Sequence, residues 1–481
     1  MKMKKRILAL LVMSLFAISY AFSMSIVYKD TPQGYDSDVL LNQFGGIYDE
    51  KESANRLEDK VKDIGIMFWG PGAYPHLYYG HVGLVVEFEN GRNILYDYGV
   101  FNPSQKGFVK EVIHGRMFYE LAATPINVDY MFAISENSRR ALRYYRLNGL
   151  NDEKKTYIAS FLSFNYSIDR QKYLYNFFSD NCSTRVRDIL DIAYDGALSR
   201  LGERYYGTRR MAIEEQTEPH IAVEIVYGIA EGYLQDEPIT YYDAMFLPSY
   251  LETALQELQV LDIKNEDQNS ESSEESIDEF ISASTLVRES TWTDAWPYYT
   301  SFNTHNSNWF PLILIAIILA VLNVARTILT NFVNNKVAIR IVNKVYAFIN
   351  AFVLLFVFIL SLAMLFLQFY TLIDCGWKNE NSIFVSPLVI FIVFYAFKAL
   401  FIPSYEKEQK AIKKMAGWAT VMFILTLIAL ILKLVLPHQA NMLHIISFGI
   451  YYLSLMQIDR NSFQKVKKFF TKKRSKNESN T

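Results

Sequence analysis

Between residues 24 and 261 short runs of alternating apolar and polar positions are interleaved with runs of helical spacing, and turn residues separate them. That mixture predicts one globular α+β domain. The pattern stops at Asp262–Glu279 (DIKNEDQNSESSEESIDE), which is acidic, serine-rich and almost free of apolar residues. Such a segment buries too little surface to fold and reads as a flexible linker. Trp292, Trp296, Tyr298, Tyr299, Trp309 and Phe310 then crowd a short region, as amphipathic rings do at a membrane–water boundary. Beyond them five long apolar spans are readable, at about 310–330, 346–371, 383–403, 417–436 and 439–457. Each approaches or exceeds the ~20 residues that cross a bilayer core as a helix. The last two are joined by a tight turn at Pro437.

Charge adds a direction to this pattern. Lys2, Lys4, Lys5 and Arg6 precede the apolar run Ile7–Ala17, and Ala21 and Ser23 supply small residues for cleavage. This is a signal-peptide pattern, with an uncleaved anchor as the alternative, and either one exports the domain after it. Lys336, Arg340 and Lys344 fall in the first loop between spans. Lys407, Lys410, Lys413 and Lys414 fall in the third, and Lys465–Arg474 crowd the tail. Loops rich in Lys and Arg stay in the cytoplasm. The expected organisation is therefore a signal peptide at 1–23, an exported catalytic domain at 24–261, an acidic linker and aromatic interfacial segment at 262–308, a five-helix transmembrane domain at 309–458, and a basic cytoplasmic tail at 459–481. A net charge of −2 gives no sign of a nucleic-acid partner.

Chemistry concentrates around Tyr173–Asp191 (YLYNFFSDNCSTRVRDILD). Tyr173, Tyr175 and Phe177 alternate as in a strand, and Ser179, Asp180 and Asn181 are N-cap types. Val186, Ile189, Leu190 and Ala193 come next at helical spacing, which puts Cys182 in the first turn of a helix. A thiol there faces unpaired N–H groups and the positive end of the helix dipole, which favour a thiolate. The bland alternative is a small buried apolar residue.

His81 opens the strand Tyr79–Phe88, followed by the turn signal Asn90-Gly91 and a return strand Ile94–Phe101. With Cys182 as nucleophile, His81 is the candidate base. A two-residue turn puts Tyr98 on the His81 face, and one extra residue puts Asp97 there instead. Asp97 is the better partner for an imidazolium, and Tyr98 is the alternative. Arg185 and Arg187, with Arg209 and Arg210, are placed either to hold a phosphate or to form ordinary salt bridges. Lys433 is expected to snorkel, and His114 and His220 to be structural. The seven histidines show no zinc-ligand spacing and no second cysteine lies near Cys182, so neither metal nor cofactor is implied. A bridge from Cys182 to Cys375 would disable a catalytic thiol.

A histidine strand well before Asn181-Cys182 resembles the circularly permuted, NlpC-type branch of the papain-like superfamily. Pro71-Gly72 with Tyr79-Gly80-His81, Tyr98-Gly99-Val100-Phe101, Asp180-Asn181-Cys182-Ser183-Thr184-Arg185 and Phe246-Leu247-Pro248 resemble more closely the Lnb-type lipoprotein N-acyltransferases of bacteria. The resemblance implies a papain-like thiol domain on the outer face of the bacterial inner membrane, ahead of an all-α bundle of five transmembrane helices. It implies transfer of a fatty acyl chain from a phospholipid, through a Cys182 thioester with His81 as base, to the N-terminal amine of a lipidated lipoprotein. Asn181, Ser183, Arg185 and Arg209 are then the candidate substrate-binding residues. A membrane-anchored cysteine hydrolase (peptidase or phospholipase) and a non-catalytic scaffold are the competing readings.

Overall fold

The structure is a computed structural model describing residues 57, 59–72, 77–104, 106–166, 171–217, 221–262, 279–290, 310–333, 335–435 and 442–456. The signal sequence, nearly all of the acidic insert, the aromatic segment up to Trp309, Pro437 and the basic tail lie outside the described residues.

A seven-stranded antiparallel sheet organises the first half. Its strands are β1 (Val61–Trp69), β2 (His81–Phe88), β3 (Asn93–Val100), β4 (Phe118–Pro125), β5 (Leu142–Leu147), β6 (Lys172–Leu174) and β7 (Ser284–Glu289), in the order β7-β5-β1-β2-β3-β4-β6. Period-two alternation sorts the side chains. Ile64, Ile66, Phe68, Val82, Leu84, Val86, Tyr96 and Tyr98 enter the main core, whereas Met67, Val85 and Leu95 enter a second core on the other face.

Helices arise from caps and apolar stripes. Those that bear on the site are α1 (Phe108–Ile113), α2 (Val128–Ser138), α3 (Asp152–Asn165), α4 (Cys182–Ala193), α5 (Arg209–Thr217), α6 (Ile221–Ala230) and α7 (Pro248–Glu257). The stripe Val186, Ile189, Leu190 and Ala193 packs α4 onto the main core with Ile158 and Leu162 of α3, while Phe132 of α2 covers the opposite face.

Two expectations change here. Residues 280–290 are not linker: Phe280–Ser282 pairs with Gln259–Leu261, and β7 pairs with β5 as the edge of the main sheet. The low-hydrophobicity run before them hides a short strand whose partner lies far back in the chain. The aromatic strand also stops early, at Leu174. Asn176 Oδ1 accepts from the N–H groups of Phe178 and Ser179, both at 2.9 Å, and this turn ends the pairing after the Tyr175 N–H has met Met117 O, ahead of Phe177.

The second half is helical: α8 (Phe310–Phe332), α9 (Lys336–Tyr370), α10 (Ile390–Phe401), α11 (Tyr405–Val435) and α12 (Met442–Leu455). Four stretches among the described residues are long and apolar enough to cross a membrane: Pro311–Phe332, Lys336–Tyr370, Glu380–Phe401 and Tyr405–Leu434. The fifth expected span is a shorter apolar helix, Met442–Leu455, of 14 residues. At 1.5 Å per residue it covers about 21 Å. It nevertheless packs against α8 and α11 and closes the ring α8-α12-α11-α10-α9.

Lys433 does not snorkel. It is buried against the Glu380 carboxylate, because the loop carrying Glu380 folds back over the outer end of the bundle. The same loop grips the first domain. Asn379 Nδ2 donates to the carbonyls of Ile229 (2.9 Å) and Ala230 (2.6 Å), and Asn381 Nδ2 donates to that of Glu231 at 3.2 Å. These amides satisfy the orphan carbonyls at the end of α6.

Candidate active site

Asn181 caps α4: its Oδ1 accepts from the N–H groups of Ser183 (2.8 Å) and Thr184 (2.9 Å), and Thr184 Oγ1 accepts from the Asn181 N–H in return. This capping box fixes Cys182 as the first helical residue. The cap takes the second and third amides and leaves that of Cys182 uncapped. Asn181 Nδ2 donates to Phe177 O (2.7 Å) and Phe246 O (2.9 Å), and Ser183 Oγ donates to Met245 O at 2.7 Å. The Phe246-Leu247-Pro248 segment is thus the anchor on which the helix start rests.

His81 is delivered from the other side. Gly80 before it has φ +74°, and a Cβ there would lie 2.8 Å from Trp69 O, so only glycine turns the chain into β2 without strain. The β2–β3 turn holds three residues, closed by Phe88 N–H to Arg92 O at 2.9 Å, with Gly91 at φ +84°. That length pairs Leu84 with Tyr96, so Gly83 and Asp97 come next in register and Asp97 stands on the His81 face. A bulge between Asp97 and Val100 then folds the Gly99 N–H back onto Asp97 Oδ1 at 2.6 Å. His81 Nε2 donates to the same oxygen at 2.7 Å.

With Nε2 committed to Asp97, Nδ1 is the nitrogen left to the thiol, and the Cys182 sulfur is within electrostatic reach of the imidazole. Burial pulls the imidazole pKa down, but the Asp97 carboxylate and the Cys182 sulfur outweigh it and hold it up to about 10. Asp97 shows the reverse: burial pushes its carboxyl up, while the facing imidazole and the Gly99 N–H bring it below the usual carboxylate value. Both side chains keep some contact with solvent, at 20% and 24% exposure.

Of the residues expected from sequence, the structure gathers Cys182, His81 and Asp97. Tyr98 is not with them. It is 1% exposed in the core, and its hydroxyl accepts from Asn165 Nδ2 at 2.7 Å. Asn181, Ser183 and Arg185 do not face a substrate site either. The first two are committed to the cap and its anchor, and Arg185 is buried, bidentate to Asp180 at 2.6 and 3.0 Å and 4.0 Å above the Tyr173 ring. Arg187 donates to Tyr242 O, and Arg210 is fully buried with Glu231 and Asp236. Arg209 rests over the Phe178 ring at 5.2 Å, within electrostatic reach of Asp374. His114 Nδ1 donates to Lys110 O at 2.7 Å, and His220 lies outside the described residues. Cys182 and Cys375 are both free thiols.

Two contributors have little or no signal in the sequence. Gly99 leaves room for the imidazole: a Cβ there would lie 2.3 Å from His81 Cε1. Its only signal is the Tyr98-Gly99 dipeptide. Arg140 is the other. Burial lowers its pKa to about 10 against the raising effects of Cys182 and Asp97, so it shares their electrostatic neighbourhood. Its Nε donates to Gly70 O at 2.7 Å, while Nη2 is buried without a hydrogen-bond partner among the described residues. No sequence feature marks it, because Arg139, at φ +53°, turns the chain out of α2 just before it.

The site lies against the bundle. Asn176 Nδ2 donates to Asp374 Oδ2 at 3.2 Å, tying the segment before Cys182 to the loop after α9. Among the described residues no group of His, Cys, Asp and Glu is arranged to hold a metal ion. Residues 57–214 match the family model described as the Lnb N-terminal periplasmic domain. No curated protein and no solved structure matches the chain.

Proposed function

This chain carries an N-terminal periplasmic domain of the Lnb family, anchored to a membrane by its apolar helices, and on that premise we propose that it is a lipoprotein N-acyltransferase. The observation that carries the reading is the row Cys182–His81–Asp97 at the foot of a helix, on a domain docked to a membrane bundle.

The Cys182 thiolate attacks an ester carbonyl of a phospholipid, forming a C–S bond and an oxyanion. The uncapped Cys182 N–H, at the positive end of α4, and the unpaired Arg140 Nη2 are the available donors for that charge. Collapse breaks the ester C–O bond, and His81, protonated at neutral pH, gives its proton to the departing lysophospholipid oxygen. That transfer leaves the imidazole neutral, with the sulfur tied up as a thioester. His81 becomes the base the second half needs. The N-terminal amine of a diacylglyceryl-cysteine lipoprotein attacks the thioester, His81 takes its proton, and the C–S bond breaks as the C–N bond forms. Asp97 holds the ring throughout.

The same reading places the basic tail in the cytoplasm, with α12 as the fifth crossing. Mass spectrometry of lipoprotein N-termini tests the reaction in cells. Replacing Cys182 by Ser is expected to leave those N-termini one acyl chain short. Identical lipid masses with and without the thiol would refute the assignment.

A further inference from the structure

Helix α1 presents an unusual face for a domain outside the bilayer. Val109, Val112 and Ile113 share one side at i, i+3, i+4 spacing and are 68%, 39% and 48% exposed, with Phe118 just beyond at 47%. Lys106, Lys110 and Arg116 are exposed around this face. Its position is fixed by the bundle: Leu372 N–H donates to His114 O at 2.8 Å, and the His114 ring meets Phe366 of α9 edge-on at 5.5 Å. A Cβ on Gly115 would lie 2.9 Å from the Ile373 nitrogen, so the chain passes the loop after α9 at backbone contact. The stripe therefore lies beside one end of α9, an apolar helix on which Phe356, Ile359 and Leu362 are also exposed. Apolar rings and aliphatics flanked by Lys and Arg suit the boundary of a phospholipid leaflet.

From α1 a row of half-buried aromatic rings runs inward. Phe108 stacks on Phe101 at 5.7 Å, Phe101 on Tyr119 at 5.2 Å, and Tyr119 lies 4.3 Å from Tyr175. Tyr119 and Tyr175 are both within electrostatic reach of the Cys182 sulfur. Resting on the acyltransferase reading, we infer that α1 and Phe118 are seated in the outer leaflet, and that the row Phe108–Phe101–Tyr119–Tyr175 is the wall along which a phospholipid acyl chain reaches the thiol. This gives the donor a route that never crosses water.

The seating is tested without reference to catalysis. A nitroxide is attached at Val109→Cys in the full chain carrying Cys182→Ser and Cys375→Ser, in phosphatidylethanolamine–phosphatidylglycerol vesicles, with Asn90→Cys as the aqueous control. Relaxation at position 109 by oxygen but not by a soluble nickel chelate is expected. Nickel access equal to that at position 90 overturns the seating, whatever the enzyme does. The route is tested by Phe101→Ala and Phe101→Leu in the otherwise native chain. Acylation of the protein by vesicle phospholipid should slow at least tenfold for Ala and less for Leu, with an unshifted thermal unfolding midpoint reporting that the variants are folded. Undiminished acylation in the Ala variant overturns the route. A lipid-seated label on a native chain that takes up no acyl group would instead overturn the acyltransferase reading and leave the seating intact.

Discussion

His81 is held by two partners of opposite use. Asp97 fixes the ring through Nε2 and raises its pKa, while the sulfur raises it from the other side and, in the proposed reaction, is the atom that attacks. Asp97→Asn removes the permanent partner and leaves a shape of the same size. It is expected to lower kcat by about 10⁴-fold, the loss seen when a triad's orienting carboxylate becomes an amide. The alkaline limb of the pH–rate profile should also move down from about 10 toward the ordinary imidazole value. The sign comes from the raised pKa: the protonated form persists up to about 10 in the native enzyme and is lost earlier when Asp97 is gone. A lowered kcat with an unmoved limb would contradict the role given to Asp97. Gly99 gives a steric test of the same ring. The 2.3 Å approach of an added Cβ to Cε1 cannot be accommodated with the imidazole in place, so Gly99→Ala should displace His81 and depress acyl transfer by at least tenfold. Thermal unfolding should change little, since the site is partly open to solvent. Normal turnover would place His81 elsewhere in the working enzyme.

At the scale of elements, the capped helix start is legible because its signal is local. Asn181 precedes an apolar stripe at helical spacing, and the cap needs only neighbouring residues. The partner of His81 is half legible, because parity depends on one residue in a turn. Asn90-Gly91 suits two- and three-residue hairpins alike, and the extra residue decides between Asp97 and Tyr98. The arginines mislead for the opposite reason. Arg185 has its carboxylate partner five residues back at Asp180, yet a sequence cannot tell a bidentate buried pair from a phosphate-ready cation. Arg140 has no local signal at all, since its meaning comes from a loop seventy residues earlier. The cap itself yields a prediction. Asn181→Ala loses two accepted and two donated hydrogen bonds at a buried position, and should destabilise the fold by about 1–3 kcal/mol. Thermal denaturation of the detergent-solubilised chain reads this, and an unshifted Tm would remove the cap from the account of how Cys182 is placed.

Across the whole molecule, the two halves are joined by hydrogen bonds rather than only by a tether. Asn379 and Asn381 complete the end of α6, and Glu380 pairs with Lys433 behind them. Such a joint holds the thiol beside one end of the bundle, where the proposed reaction between two membrane-borne substrates needs it. Hydropathy shows the spans, but it shows neither this grip nor the return of residues 284–289 to the sheet, because both depend on contacts between distant segments. The count of crossings rests on the same architecture. α12 is short, yet it occupies one place in a closed ring of five helices, and four crossings would leave Lys465–Arg474 on the same side as the periplasmic domain. A reporter fused to the C-terminus is expected to read cytoplasmic, and a periplasmic signal would reduce α12 to a half-crossing helix.

The central claim is that Cys182 carries the acyl group. The purified chain, incubated with phospholipid and no acceptor and then digested, should yield a Cys182 peptide heavier by one fatty acyl chain. Neutral hydroxylamine should remove that mass, and addition of a diacylated lipopeptide should move it to the peptide amine. A Cys182 peptide that stays unmodified while the lipopeptide is acylated, or while free fatty acid accumulates, would contradict the account.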